Sequence, residues 1–374
     1  MKEGWTYKKL GEVCNYSIGL TYKPSDVDDN GTIVLRSSNI QNEQIDLNDI
    51  VRVNCPIKDS LYVQKGDILM CSRNGSARLV GKVAMIPEHK ERMTYGTFMM
   101  IIRSEYNPFL LYFFKSDGFR NQIKHGEANM INQITRYMLD DVVVSLPPLS
   151  EQQRIVSRLD AAFAYIDELK ANAEKQLSEA RILFQKALTK AMEPKEGWEE
   201  KKLPDISENL DSMRKPVTKK DRTEGIYPYY GASGIVDYVD GYIFDEDLLC
   251  ISEDGANLLM RTYPIAFPIS GKVWVNNHAH VLRFKCLATQ KYVEYYFASI
   301  KLDEYITGAA QPKLTQKALN NIVINIPDST EEQQRIVSRL DAISAHIREL
   351  EDVLQKTIAE CDALKQALLR KVFE

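Results

Sequence analysis

Two long stretches of the chain carry apolar residues at heptad spacing. In residues 336–368 and again in residues 155–187, apolar positions alternate in steps of four and three, with one polar residue in each series, Thr357 and Gln176. A stripe this narrow predicts a long amphipathic helix that packs along one seam. The predicted seam of the first helix is Ile155, Leu159, Ala162, Ile166, Leu169, Ala173, Gln176, Ala180, Leu183 and Ala187. That of the second is Ile336, Leu340, Ile343, Ile347, Leu350, Leu354, Thr357, Cys361, Leu364 and Leu368.

Both predicted helices begin with the same eleven residues, EQQRIVSRLDA, at 151–161 and at 332–342. The first seam is rich in alanine where the second has larger side chains, so the two complement each other. We therefore expect them to pair antiparallel, related by a pseudo-two-fold axis, as a rod of about 60 Å for forty residues. Two alternatives stay open: each helix packs only on its own domain, or the coil forms between two copies of the chain.

The repeat extends into the segments before each helix. Gly4-Trp5 recurs as Gly197-Trp198, Asn74-Gly75 is matched by Asp254-Gly255, and residues 101–103 are matched by 281–283. The last two of these matches share an offset of 180 residues, and at that offset Leu69 corresponds to Leu249 and Arg73 to Glu253. A kept scaffold with changed loops is typical of one fold that binds two different targets, and neutral drift after duplication is the alternative.

Short β-branched and aromatic runs alternate with Gly, Asn, Asp and Pro in both segments. They predict strands at 31–36, 67–71, 99–103, 241–244, 248–251 and 280–285, and helices at 108–123 and 291–306. The predicted fold class is α+β, with two similar mixed α/β domains that are each followed by a long helix. The predicted boundaries are 1–149, 150–193, 194–328 and 329–374.

The composition excludes several classes of protein. The chain has 44% hydrophobic and 27% charged residues and a net charge of −4, and neither half is basic overall. A nucleic-acid partner must therefore be held by a local patch or with the help of another subunit. The six cysteines are scattered without a C-x-x-C pair, and no apolar run is long enough to span a bilayer. We expect free thiols and a cytoplasmic location.

No catalytic or metal-binding motif is complete. The phosphate-loop-like run at 75–83 has five residues between its glycines instead of four, and it ends in Val83 instead of Ser or Thr. His278 and His280 are only two ligands, so we interpret them as a core or loop pair. Asn107-Pro108-Phe109 lacks the second proline of an adenine methyltransferase motif. We therefore predict no catalytic residue, no metal and no cofactor on this chain.

Polar loops in both segments carry side chains suited to base edges and phosphates. The DNA-binding candidates in the first segment are Arg36, Ser38, Asn39, Arg73, Asn74, Ser76, Arg78, Lys82, Asn132, Gln133 and Arg136. Those in the second are Tyr230, Ser233, Lys272, Asn277, His278, Gln311 and Lys313. Each of them alone is equally compatible with a solvated loop.

The chain resembles the specificity subunits of type I restriction–modification systems. The resemblance rests on the repeated EQQRIV segments that follow proline, on Ser72-Arg73-Asn74-Gly75-Ser76, and on the runs at 229–234, 277–283 and 311–315. It implies two target recognition domains that read the halves of a split, asymmetric DNA sequence. It also implies an antiparallel coil that sets the spacer between them.

The resemblance also implies the partners: double-stranded DNA, two methyltransferase subunits, and motor-nuclease subunits. S-adenosylmethionine, ATP and magnesium are then expected on those subunits, with no active site on this chain. The predicted contacts within the coil or with subunits are Ile155, Leu159, Ile166, Leu169, Ile336, Leu340, Ile343, Ile347, Leu350 and Leu354. Two other functions stay open: a coiled-coil adaptor without a DNA role, and a self-sufficient methyltransferase or nuclease with a degenerate motif.

Overall fold

A computed structural model describes residues 4–124, 133–308 and 311–374. It divides into two compact units. The first unit comprises Met1–Ala173 and Lys356–Glu374, and the second comprises Glu174–Gln355. Each unit thus contains one mixed α/β domain and segments of both long helices.

The first unit contains eleven strands in its described residues, and they form four small sheets. They are β1 (Thr6–Lys9), β2 (Asn15–Ile18), β3 (Val27–Leu35), β4 (Ile40–Gln41), β5 (Gln44–Ile45), β6 (Val51–Val53), β7 (Ile68–Cys71), β8 (Val83–Met85), β9 (Met93–Tyr95), β10 (Met99–Arg103) and β11 (Val143–Leu146). The helices are α1 (Leu10–Val13), α2 (Asn107–Lys115), α3 (Asp117–Lys124), α4 (Arg136–Asp140) and the long α5 (Leu149–Ala191), which begins here.

The second unit repeats this order of elements. Its strands are β12 (Trp198–Lys202), β13 (Ser207–Asn209), β14 (Glu224–Gly231), β15 (Gly234–Val239), β16 (Phe244–Asp245), β17 (Leu248–Ser252), β18 (Ala266–Ile269), β19 (Lys272–Val275), β20 (Ala279–Phe284) and β21 (Val323–Pro327). Its helices are α6 (Leu203–Ile206), α7 (Asn257–Met260), α8 (Leu287–Ser299), α9 (Gln316–Leu319) and the long α10 (Thr330–Phe373).

Three sheets of the first domain have counterparts in the second, which confirms the predicted common scaffold, while the two-stranded sheet β4-β5 has no counterpart among the described residues. The antiparallel sheet β2-β10-β7-β8 corresponds to β13-β20-β17-β18, and the pair β1-β11 corresponds to β12-β21. In the remaining large sheet, β3 pairs antiparallel with β6 and parallel with β9, as β14 pairs with β15 and β19. The strands β7, β10 and β17 are almost wholly buried, which places the apolar core on this sheet.

The hydrogen-bond pattern corrects one predicted correspondence. Leu69 pairs with Ile101 in the first unit, whereas Cys250 pairs with Val281 in the second. Leu69 therefore corresponds to Cys250 and not to Leu249, and Arg73 corresponds to Asp254 and not to Glu253. The predicted correspondence is wrong because the segment from β7 to β10, which includes β8 and β9, is one residue longer than its counterpart, so the offset changes from 181 to 180 within it. The predicted match of Asn74 with Asp254 is wrong for the same reason.

Three other predicted elements differ from the structure. The helix predicted at 108–123 is two helices, because the chain leaves the helical conformation at Ser116, whose hydroxyl accepts a bond from the Phe119 amide. The helix predicted at 291–306 lies at Leu287–Ser299, and the strand predicted at 241–244 is only Phe244–Asp245. Among the described residues, no helix is long and apolar enough to cross a membrane.

The long helices pack antiparallel within each unit, as predicted. In the first unit Asp167 pairs with Lys365 at 2.6 Å and Lys170 pairs with Asp362 at 2.7 Å. Later residues of α5 thus contact earlier residues of α10, as antiparallel packing requires. In the second unit Arg181 bonds Glu351 at 2.7 Å, and Leu188 lies in one apolar cluster with Leu340. The alternative in which each helix packs only on its own domain is therefore wrong.

The seam itself is shifted at every second position. Leu169 and Leu350 are each 40% exposed, Leu364 is 50% and Leu183 63% exposed. The more buried positions are the following residues: Lys170 and Phe184 in α5, and Glu351 and Lys365 in α10. The apolar pattern predicted these leucines as seam residues. Instead, the aliphatic parts of long charged side chains cover the seam, and their charged ends form ion pairs at its edge. Leu159, Ile166, Ala173, Ala180 and Leu354 are buried as predicted.

Candidate nucleic-acid interface

In the first unit, three loops meet beside the end of strand β7. The backbones of Arg73 and Gln133 pair in an antiparallel β-bridge outside the named strands, and the Arg73 guanidinium lies 5.6 Å from the centre of the Phe98 ring. The amide of Ile134 donates to the Ser72 carbonyl at 2.7 Å, and this bond fixes the approach of the third loop. The predicted candidates Arg73 and Gln133 are thus brought together, with the exposed Phe98 as a third member.

A second group of candidates in this unit holds the loop after strand β3. Asn39 is fully buried, and its amide donates to the carbonyls of Asp46 and Asp49 and accepts from the Arg36 amide. Lys82 donates to the Ile40 carbonyl at 3.0 Å. The interpretation of Asn39 as a DNA contact was therefore wrong, because its hydrogen-bonding groups close a turn inside the domain.

The remaining candidates of the first unit are spread around these loops. Asn74 donates to Ser37 at 3.2 Å and accepts from the Ser76 amide, while Arg36 pairs with Asp49 at 3.0 Å. Ser76 and Arg78 are exposed, Ser38 is half-buried, and Arg136 lies at the start of α4 beside Asp140. Asn132 lies outside the described residues.

The second unit brings together three loops at the corresponding place. Asp254 forms an isolated bridge with Lys313, and its carboxylate lies 2.8 Å from Nδ1 of His278. The amide of Leu314 donates to the Glu253 carbonyl at 2.8 Å, the counterpart of the bond between Ile134 and Ser72. The side chains of His278 and Lys313 are 48% and 47% exposed, so both remain open to a ligand.

Behind these loops lies a buried network of charged side chains. His280 is fully buried and bonds Asp211 at 2.6 Å, while Arg214 bonds Glu253 at 2.6 Å and Asp211 at 3.3 Å. Lys313 adds a bond to Glu253 at 3.1 Å. The network joins the end of β17, the strand β20 and the loop that carries Lys313.

The network holds its carboxylates in the charged form. Burial alone would raise the pKa of Asp211, but the hydrogen bond and charge of His280 and the charge of Arg214 keep it below its ordinary value. Burial opposes ionisation of Glu253 too, yet Arg214, His280 and Lys313 lower the pKa of this carboxyl.

The same cluster has the residue types of a metal site. Ligand atoms of Asp211, Glu253 and His280 lie within 4.8 Å of one another. Arg214 and Lys313 already bond these carboxylates, so positive charges of the chain itself stand where a cation would bind. We therefore interpret the cluster as an ion-pair network that positions the recognition loops.

The other candidates of the second unit fall into two places. Ser233 and Asn277 are exposed in turns near the loops that carry Asp254, His278 and Lys313. Tyr230 is half-buried, and its ring is stacked 6.1 Å from that of Phe267. Gln311 is exposed two residues before Lys313. Lys272 lies at the far end of β19 from Asn277 and covers the Tyr242 ring at 4.9 Å, so it is not part of the cluster.

Sequence reasoning missed Phe98, Asp254 and Glu253 as members of these clusters. A single exposed phenylalanine carries no sequence pattern of its own, and an acidic residue is not an obvious candidate for contact with an anionic ligand. The repeat could have indicated Phe98, because it precedes the candidate His278 by 180 residues, the same spacing that separates the candidates Gln133 and Lys313.

The starts of the long helices present the same surface twice. In the repeated segment, Gln152 and Gln333 are buried and donate to the carbonyls of Pro147 and Pro327, each at 2.8 Å. The exposed residues are identical as well: Gln153, Arg154, Ser157 and Arg158 in α5, and Gln334, Arg335, Ser338 and Arg339 in α10. Core packing explains identity at buried positions but not at these exposed ones.

Comparison with known proteins agrees with this architecture. The family of type I restriction modification DNA specificity domains matches residues 2–179 and again residues 195–360. The two matches cover most of the chain, one in each half. The chain therefore belongs to this family.

Individual relatives are named as specificity subunits. The EcoKI specificity subunit of Escherichia coli is 26% identical over the whole chain and 89% of its own length, and the StySPI subunit of Salmonella potsdam is 24% identical with the same coverage. A Haemophilus influenzae protein assigned to the same class is 36% identical over 145 residues, which span 39% of this chain and 37% of that protein.

Two solved structures share the fold along the whole chain. One is a chain from a type I restriction–modification system studied for its complex assembly and conformational transition, with a TM-score of 0.75 and 20% identity over 98% of that chain. The other is the HsdS subunit from Thermoanaerobacter tengcongensis, with a TM-score of 0.54 and 21% identity over 97% of it.

Proposed function

We propose that this chain is the DNA-sequence-specificity subunit of a type I restriction–modification complex. Each unit reads one half of a bipartite, asymmetric target through its loop cluster. The observation that carries the proposal is the contrast between the two units, which share every major sheet but differ at the exposed loop residues. A duplicated scaffold with altered loops suits a protein that binds two different sequences in one duplex.

The identical exposed surfaces at the helix starts support docking of two copies of one partner. Four polar or cationic side chains are presented in the same order on α5 and on α10. The exposed leucines, Leu169 and Leu364 in the first unit and Leu183 and Leu350 in the second, add apolar area of the kind found in interface cores. We propose that two methyltransferase subunits bind here and that motor-nuclease subunits join them.

The chemistry then belongs to the partners. We propose that the methyltransferase subunits bring S-adenosylmethionine and that the motor-nuclease subunits bring ATP and magnesium, while this chain catalyses nothing itself. The partners would also supply part of the phosphate contact, which suits a net charge of −4. A protein with this role acts on host DNA, so we propose a cytoplasmic location.

Methylation mapping in a host that expresses the chain with its methyltransferase tests the proposal. We expect one bipartite motif with a fixed gap and a methylated adenine. An adaptor without a DNA role would give no motif that depends on this chain. An undivided motif would contradict two reading units.

A second measurement separates the specificity subunit from an enzyme. The purified chain alone, with DNA, magnesium and S-adenosylmethionine, should transfer no methyl group and cut no strand, whereas the chain with its methyltransferase should methylate. Turnover by the chain alone, lost on substitution of a residue in a loop cluster, would show that the active site lies here.

A further inference from the structure

We propose that three matched positions form the base-reading centre of each unit. This rests on the proposed function and assigns base contact, as opposed to phosphate contact, to a small set of loop residues. The positions are Arg73, Phe98 and Gln133 in the first unit and Asp254, His278 and Lys313 in the second.

The backbone holds the three positions in the same arrangement in both units. Arg73 and Asp254 directly follow Ser72 and Glu253, whose carbonyls accept equivalent bonds from the third loop at 2.7 and 2.8 Å. Isolated bridges join Arg73 to Gln133 and Asp254 to Lys313. Two different sets of side chains thus occupy one shared frame.

The side chains make the same pairwise contact in both sets. In the first unit the Arg73 guanidinium lies on the Phe98 ring, and in the second the Asp254 carboxylate bonds the His278 ring. In each case the second residue after the buried strand contacts the residue that directly precedes β10 or β20. The contact limits the freedom of both side chains before any ligand binds.

Each set includes side chains that are open to solvent: His278 and Lys313 are about half exposed in the second unit, whereas Asp254 is 15% exposed. Phe98 is 54% exposed, and Arg73 is exposed above it. An exposed aromatic ring under a guanidinium offers a face for a base or a thymine methyl group, which a phosphate contact does not need. This combination favours base contact over contact with the DNA backbone.

Buried bonds behind the two sets fix the loops in place. In the first unit the Ser72 hydroxyl donates to the Phe98 carbonyl at 3.0 Å. In the second, the Glu253 carboxylate forms salt bridges with Arg214 at 2.6 Å and with Lys313 at 3.1 Å. Glu253 is therefore a positioning residue, which sets the direction of Lys313 from below.

The two sets differ in the base edges they complement. Arg73 can pair with O6 and N7 of guanine, and Gln133 with N6 and N7 of adenine. Lys313 can pair with guanine, whereas Asp254 accepts hydrogen bonds and suits the amino group of cytosine. We expect the two half-sites to differ at the base pairs that lie against these residues.

Reciprocal substitutions test the assignment. Lys313→Gln gives the second unit the side chain of the first, and Gln133→Lys does the reverse, at positions where the shared backbone already accepts either residue. Each variant is expressed with the methyltransferase and its methylated motif is mapped. Each should change base preference at one position of one half-site by about 10- to 100-fold, and leave the other half-site unchanged.

Lys285→Gln is the matched control, since this exposed lysine of the second unit follows β20 at the end opposite to His278. It should leave both half-sites unchanged. A variant that loses methylation altogether is tested by equilibrium binding of the purified complex to duplexes with each base pair replaced in turn, which reports the preference without turnover.

The possible outcomes separate the two proposals. A uniform loss of affinity with both half-sites unchanged would assign Lys313 and Gln133 to phosphates and overturn the base-reading centre. A bipartite wild-type motif that neither variant alters would overturn it too, while the proposed function stands. No bipartite motif for the wild-type chain would instead overturn the proposed function.

Discussion

At the scale of single residues, neighbouring side chains decide what each residue type does. Asn39 and Asn74 both lie in loops that suit DNA contact, yet one closes a buried turn while the other is half-buried beside Ser37 and Ser76. Sequence gives the residue type and the loop, but the burial of Asn39 depends on the carbonyls of residues up to ten positions away. Non-local bonds of this kind have no signature in a local pattern.

One residue-scale consequence concerns Glu294 on α8. Burial raises the pKa of its carboxyl to about 7, with a further contribution from the charge of Asp341 against the opposing Lys291 and Arg348. A carboxyl whose pKa is higher in the folded state stabilises the fold below about pH 4.5, and that stability is lost as the pH rises towards 7.

Glu294→Gln removes this titration. We expect the variant to be more stable than the wild type by about 1–3 kcal/mol at pH 8, with the difference shrinking towards pH 5. Urea denaturation at both pH values measures it, and Glu304→Gln, an exposed glutamate of the same unit, is the control. Equal differences at pH 5 and pH 8 would contradict the assignment.

At the scale of elements, periodicity predicted the long helices well and their contact line less well. The first and last residues of α5 (Leu149–Ala191) and α10 (Thr330–Phe373) lie within a few residues of the predicted boundaries. The prediction of the seam was wrong at Leu169 and Leu350. Hydropathy ranks leucine above lysine or glutamate, whereas packing depends on the direction in which each side chain points. The short strands were predicted where β-branched runs are dense, as in β10.

The alanines of the α5 seam allow a close approach of the two helices. Ala180 is 6% exposed, so Ala180→Leu must displace its neighbours and should destabilise the second unit by about 1–3 kcal/mol. Ala345→Leu on the exposed face of α10 is the control, since both changes are nearly neutral for helix propensity. Thermal denaturation followed by circular dichroism compares them, and equal melting temperatures would show that the seam has room at residue 180.

At the scale of the whole molecule, each long helix starts at one domain and ends in the core of the other. Leu188 near the end of α5 and Leu369 near the end of α10 are both fully buried. Leu188 belongs to the core of the second unit, while Phe373 packs on Phe109 and Phe113 in the first at 5.1 and 5.5 Å. The antiparallel pairing predicted from the sequence implies that each helix ends beside the other domain, but no sequence pattern showed which residues enter its core.

Leu369→Ala should therefore destabilise the first unit, by about 2–5 kcal/mol for a leucine in a closed core. Hydrogen–deuterium exchange should rise in α2 and around Leu159 and stay unchanged in the second unit. Leu364→Ala, a half-exposed leucine on the same helix, should have little effect on exchange. Faster exchange confined to α10 would contradict a shared core.

The contribution of residues 356–374 to the first unit has a consequence for synthesis on the ribosome. The second unit has all of its residues once position 355 has emerged, whereas the first unit waits for the last helical turns. The domain that is translated first is thus completed last, against the usual N-terminal-first order of folding. Until then Phe109 and Phe113 lack the cover that Phe373 provides, so part of this apolar surface stays open to chaperones on the nascent chain.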